Sequence, residues 1–184
     1  DWLPAPNPKE DYGYRAFVST VDAILWGRKT YAQALSFGPF PDPSHAGKKH
    51  YVFTHKKKIK SSPSVEFVSS SPVSFVRRLK KQKGGPLWLM GGAHLIAPLH
   101  QAGLIDQYVI TIIPVFLGSG IPLFLPGKTE QKLQLVAHEI FENGLVQLAY
   151  EKKSFGKNGQ KAWRAALSSD LQASRFDSDL DALG

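Results

Sequence analysis

Apolar residues fall along this chain in two alternating rhythms. Tyr14, Phe17, Val18 and Val21 recur at i, i+3, i+4 and i+7, the spacing of one helix face. Residues 23–26 are a short unbroken apolar run closed by Gly27, which predicts a buried strand. Arg28–Ser36 returns to helical spacing, with Tyr31, Ala34 and Leu35 inward. Residues 37–47 carry three prolines and predict a loop. Strands are predicted at 50–54 and 65–68. A helix is predicted over 71–82, with Pro72 at its first position, Val73, Val76 and Leu79 inward, and Arg77, Arg78, Lys80 and Lys81 in solvent. A strand at 87–90 runs straight into Gly91-Gly92. A helix at 93–102 is stopped by Gly103. A long strand is predicted at 108–116. Residues 133–141 and 145–152 flank Glu142-Asn143-Gly144, a hairpin signal.

Alternating strands and helices predict a mostly parallel sheet with helices on both faces, and the closing hairpin predicts an antiparallel edge on it. Residues 1–153 read as one domain. Residues 1–10 are Pro-rich and read as a loop. Residues 154–184 are weakly patterned and read as an extension.

Composition narrows the picture without changing it. The 184 residues are 42% hydrophobic and 21% charged, ordinary for a globular domain. No apolar run approaches the roughly 18 residues of a membrane span. Cysteine is absent, which removes disulfides and thiolate metal sites and fits a reducing, cytoplasmic location. The opening residues do not read as a secretory signal. Net charge is +8, and the segment from Ser154 carries four basic and four acidic residues, so the excess belongs to the body. Lys48, Lys49, Lys56, Lys57, Lys58 and Lys60 hold much of it. Such a surface serves solubility or an anionic partner, either a phosphate-bearing cofactor or nucleic acid. Of the two, nucleic acid is not the expected partner.

Three junctions could carry chemistry. Gly27-Arg28-Lys29-Thr30 lies between a strand and a helix. A helix start presents unpaired N–H groups and the positive end of the dipole, glycine admits close approach, and the three side chains add donors, so a phosphate fits there. An ordinary turn with surface cations fits the same residues. Gly91-Gly92-Ala93 repeats the arrangement, and the alternative is a tight packing turn. Two such junctions in one sheet can face one ligand across its carboxyl edge. Thr54-His55-Lys56 at a third strand end would suit an extra phosphate, or a plain charged loop. The G-x-G-x-x-G fingerprint is absent. The six histidines form no ligand pattern, so no metal is expected. No G-x-S-x-G elbow occurs. Asp22 and Asp106 read as structural residues.

These residues bring a family into view. Ile24-Leu25-Trp26-Gly27-Arg28-Lys29-Thr30-Tyr31 resembles the G-R-x-T element of dihydrofolate reductases. Leu89-Met90-Gly91-Gly92-Ala93-His94-Leu95-Ile96, Gly103-Leu104-Ile105-Asp106-Gln107-Tyr108 and the run from Ile113 to Phe124 resemble the C-terminal reductase domain of bacterial bifunctional deaminase-reductases, and above all its small stand-alone branch. The resemblance covers about residues 1–153.

It implies a dihydrofolate-reductase-like three-layer α/β sandwich, mostly parallel with an antiparallel C-terminal hairpin, binding NADPH. Gly27, Arg28, Lys29 and Thr30 would meet the cofactor's phosphates, Thr54 and His55 the adenosine 2′-phosphate, and Gly91, Gly92, Ala93, His94, Leu95 and Ile96 the diphosphate. A cis peptide is implied between Gly91 and Gly92. Trp2 and Phe37 would wall the substrate pocket. The implied reaction is hydride transfer to a small heterocycle, a pteridine or a ribosylaminouracil, by a homodimer, with no catalytic residue identified. Riboflavin-pathway reductases commonly carry Glu before the paired glycines, where this chain has Met90. Family members also begin with a central strand and a pocket loop that would precede Asp1, so neighbouring strands are expected to lose ladder partners and the chain to be a fragment. The alternative function is a nucleotide-binding module without catalysis.

Overall fold

In the computed structural model, residues 11–37, 43–56, 59–127 and 130–153 are described. The first strand, β1 (Ala23–Gly27), is apolar along its length because it is buried on both faces and paired on both edges. It runs parallel to β2 (Lys49–Phe53) on one side and to β4 (Leu87–Gly91) on the other, and β3 (Val65–Val68) pairs with β2. The order is β3-β2-β1-β4. The β1–β4 register slips between Leu25 and Trp26, so that Leu25 faces Leu89 but Trp26 faces Gly91.

Helices cover both faces. On one, α3 (Pro72–Leu79) and α4 (Ala93–Gln101) bury Phe75, Val76, Leu95 and Leu99 against Leu25, Phe53 and Val68. On the other, α2 (Arg28–Ser36) sets Tyr31 and Ala34 over Ile24, Trp26, Val52 and Val65. There α1 (Tyr14–Thr20) rests Tyr14 and Phe17 on Trp88, with ring centroids 6.0 and 5.1 Å apart. No helix among the described residues is long and apolar enough to cross a membrane.

The hairpin β6 (Leu133–Ile140) and β7 (Val146–Lys152) forms as its spacing predicts. It does not edge the parallel sheet, however. With β5 (Gln107–Ile112) it makes a separate antiparallel sheet, β5-β7-β6. The β6–β7 pair forms locally across its turn and β5 adds to β7, whereas joining β5 to β4 would need a ladder that the described residues do not supply. Side-chain tethers hold this second sheet to the helices. Lys80 pairs with Asp106, and Lys152 Nζ donates to Gly103 O at 2.6 Å. Asp106 is thus a structural residue, as expected. Asp22 is another: its carboxylate accepts from Gly85 N, and its own N–H donates to Pro86 O at 2.9 Å.

Four sequence expectations need correction. Leu35 is 47% exposed, because α2 meets the sheet along Tyr31 and Ala34 alone. The α3 face is centred on Phe75 and Val76, with Val73 and Leu79 at its margins, and the helix stops at Leu79. The strand expected at 108–116 ends at Ile112, two residues before Pro114, which has no N–H for a ladder. The loop expected at 37–47 contains a 3₁₀ turn, Pro43–His45. The extension 154–184 lies outside the described residues.

Candidate functional site at the carboxyl edge of the parallel sheet

Because β1, β2 and β4 are parallel neighbours, their last residues reach one edge together. Gly27 pairs with Phe53, Thr54 follows directly, and Trp26 sits opposite Gly91. Gly27 caps α2 and Gly92 caps α4, neither with a side-chain bond, so both helix starts open on this edge with first-turn N–H groups.

The two glycine junctions touch. A Cβ added to Gly27 would lie 3.3 Å from Gly91 O and from Gly92 N, closer than an ordinary contact. A Cβ on Gly92 would lie 3.2 Å from Thr30 Oγ1. Gly91 has φ +103°, and the Gly91–Gly92 peptide is cis. Side chains are thereby kept out of the place where the two junctions meet. Arg28 and Lys29 stand exposed beside it, and Thr30 is half-buried. Two helix starts beside side-chain-free backbone suit a group that carries negative charge and needs close backbone approach.

The remaining expected residues divide. Thr54 is buried, donates N–H to Val68 O at 2.9 Å and accepts from Lys56 N at 3.1 Å, so its hydroxyl shapes the turn. His55 beside it is exposed. The amides of Leu95 and Ile96 both donate to Gly92 O, at 2.8 and 3.1 Å, which leaves Ala93 and His94 as the first-turn donors of α4. The Leu95 side chain belongs to the core. Phe37 caps the far end of α2, about 14 Å of helix away from Gly27, and is 79% exposed, so it is not gathered to this edge. Trp2 lies outside the described residues.

Below the edge, a cleft of about 800 Å³ runs beside β4, lined by Trp88, Leu89 and Met90, by Tyr108, Val109 and Ile110 of β5, and by Phe17 of α1. Ile96 also lines it, and its Cδ1 lies 3.5 Å from a Cβ built on Gly91, so the cleft adjoins the glycine junction.

One buried polar cluster was not singled out from sequence. Trp26 Nε1 donates to His50 Nδ1 at 3.1 Å, Tyr14 OH meets His45 Nε2 at 2.9 Å, and the two imidazoles are 5.4 Å apart. Indole nitrogen only donates, so His50 Nδ1 must be the acceptor and its proton sits on Nε2. Burial, and then the neighbouring His45, push the His50 pKa down to about 4. A histidine that alternates with apolar residues in a strand is the signal for such a role, and it carries no ligand spacing. Burial also raises Tyr31 beneath Trp26, and it raises Tyr108 with help from Asp106.

Residues 15–147 match the model of the RibD C-terminal domain. An uncharacterized protein of Bacillus subtilis strain 168, YwjB, is 39% identical over 151 residues, covering 82% of this chain and 84% of YwjB. A putative riboflavin biosynthesis protein from Shewanella sp. PV-4 is 28% identical, with a TM-score of 0.70 over 83% of this chain and 87% of that one. Dihydrofolate reductase from Enterococcus faecalis, solved with NADP(H), has a TM-score of 0.56 at 17% identity over 82% and 85%, a likeness of fold.

Proposed function

From the premise that the chain belongs to the RibD C-terminal domain family, with its dihydrofolate-reductase-like fold, we propose that it is an NADPH-dependent reductase of a small heterocyclic substrate. The observation that carries this reading is the contact between the Gly27 and Gly91-Gly92 junctions at the starts of two helices. Either junction alone would suit a packing turn. Meeting within van der Waals distance, they bring two helix starts and side-chain-free backbone to one place, an arrangement that suits a diphosphate.

In this reading the amides of Ala93 and His94 and the Thr30 hydroxyl hold the diphosphate. Arg28 and Lys29 neutralise it, and His55 and Lys56 stand where the 2′-phosphate of NADPH would be recognised. When bound, the cofactor supplies the hydride, and the protein supplies position and electrostatics. Met90, Ile96 and the aromatic wall of the cleft give the reacting ring an apolar setting that excludes water. Met90 brings no carboxylate to that wall, so a substrate with a planar apolar face fits better than one recognised through an acid.

Titration of the purified chain with NADPH and NADH, followed by tryptophan quenching, tests the proposal. Binding of NADPH at least tenfold tighter than NADH is expected, and turnover with a pteridine or ribosylaminouracil would extend the result to catalysis. A folded protein that binds neither dinucleotide would overturn it.

A further inference from the structure

Positive charge is concentrated at the end of α3. Arg77, Arg78, Lys80, Lys81 and Lys83 fall within one short stretch, and all of them are exposed. A helix C-terminus favours cations, but its dipole amounts to only roughly half a negative charge. Asp106 pairs with Lys80, and Arg78 lies over the Phe75 ring at 4.9 Å. Among the described residues no carboxylate pairs with Arg77, Lys81 or Lys83. The helical turn continues past Leu79, since Lys81 N–H donates to Arg78 O at 3.2 Å. Arg77 and Lys81 are therefore neighbours at i and i+4, where like charges repel. Lys49, which opens β2, lines the cleft together with Lys80 and Lys83 and adds to the same field. This face lies at the amino edge of the parallel sheet, because Lys83 leads into the start of β4. Gly27 and Gly92 are at the opposite edge.

The sequence holds a segment of matching charge. Beyond Ser154 the basic residues come early, at Lys157, Lys161 and Arg164, and aspartates dominate late. Residues 176–184 hold Asp177, Asp179 and Asp181 and no lysine or arginine. An extended chain puts every second side chain on one side, ~6.7 Å apart. Side chains at i and i+4 on a helix are ~5–6 Å apart. Two neighbouring aspartates can thus meet Arg77 and Lys81 at once, and the third can reach Lys83.

Connectivity brings that segment to this face. β7 ends at Lys152, whose N–H donates to Asp106 O at 3.1 Å and whose Nζ donates to Gly103 O at 2.6 Å. Lys80 holds the same turn, donating to Leu104 O at 3.2 Å and pairing with Asp106. The chain therefore passes Lys153 beside the end of α3. The 23 residues between Lys153 and Asp177 would span on the order of 25 Å as a random coil. That is enough to reach Lys81 and Lys83, and it holds the aspartates near them at an effective concentration that an acidic partner in solution must exceed.

We propose that residues 177–181 dock in cis on the basic end of α3, with Asp177, Asp179 and Asp181 paired to Arg77, Lys81 and Lys83. The docked segment covers the amino side of the parallel sheet and leaves the edge with Gly27 and Gly92 open. The contact is made by charge at a surface, so it weakens with salt.

Zero-length carbodiimide coupling of the full chain, read by peptide mass spectrometry, tests this. An equal mixture of isotope-labelled and unlabelled protein separates bonds within a chain from bonds between copies. Isopeptide bonds from Asp177, Asp179 or Asp181 to Lys81 and Lys83, within one isotope, are expected as the main products of these aspartates at low salt. They should fall at least fivefold at ~1 M salt. Lys81→Glu with Lys83→Glu should remove them, and adding Asp177→Lys with Asp179→Lys should restore coupling between the same positions with the charges exchanged. Isotopically mixed products would assign the face to a second copy and overturn the proposal. Coupling spread over Lys29, Lys56 and other exposed lysines, insensitivity to salt, or failure of the exchanged pair to couple would each overturn it as well.

Discussion

Acidification should unfold this protein through one buried imidazole. His50 is 0% exposed and is held neutral as the acceptor for Trp26. Its pKa in the folded state is about 4 against an ordinary 6.5. The unfolded chain therefore binds this proton first as pH falls, and stability drops from about pH 6.5 down to 4 and then levels off. The proton linkage gives a loss of about 1 kcal/mol by pH 5.5 and about 2–3 kcal/mol by pH 4.5. A protonated Nδ1 would also face the Trp26 N–H with a second donor, so the bond is lost with the same proton. The assay is urea unfolding, followed by tryptophan fluorescence, at pH 7.5, 6.5, 5.5 and 4.5 on the wild type and His50→Gln. Glutamine can still accept from the indole but cannot titrate. The wild type should lose about 2–3 kcal/mol more than the variant between pH 7.5 and 4.5. Parallel pH profiles for the two proteins would refute the argument.

Four further outcomes are expected. Gly27→Ala pushes a methyl against Gly91 O and Gly92 N, both backbone, and should cost about 1–3 kcal/mol and weaken NADPH binding beyond that loss, read by denaturation and cofactor titration. Arg28→Ala leaves the fold intact, because the side chain is exposed, and should weaken NADPH about tenfold or more, measured by quenching. Phe75→Ala empties the centre of the α3 face and should cost about 3–5 kcal/mol in urea unfolding. Lys80→Met should cost no more than about 1 kcal/mol, since its pair with Asp106 is partly open to solvent; a larger loss by the same assay would mean that the tether is essential to the second sheet.

What could be read from the chain was what is local. Gly27 and Gly91 declared themselves because each ends an apolar run and begins a helical one, a change of period within a few residues. That the two would touch was a conjecture, because contact depends on β1 and β4 pairing across more than sixty residues of chain. The split of the sheet at β5 was hidden for the same reason, since periodicity says that 107–112 is a strand and nothing about its neighbours. Leu35 misled because helical spacing marks a stripe but not its width. Leu95 and Ile96 are marked as ligand contacts only by their place in the family motif, and the bonding of their amides to Gly92 O has no signature in the sequence. The His45–His50 pair went unremarked because buried histidine has no spacing rule of its own.

The slip between Leu25 and Trp26 has a consequence for how such chains could diverge. One extra residue in β4 is absorbed mid-strand, at Met90. Deleting Met90 would restore an even ladder with Gly91 still opposite Trp26, and would remove only the local bend and extra twist that a bulge gives a strand. A lineage could therefore gain or shed this kink, and re-aim the backbone that leads into the paired glycines, while Gly91 keeps its place opposite Trp26 and every loop stays untouched.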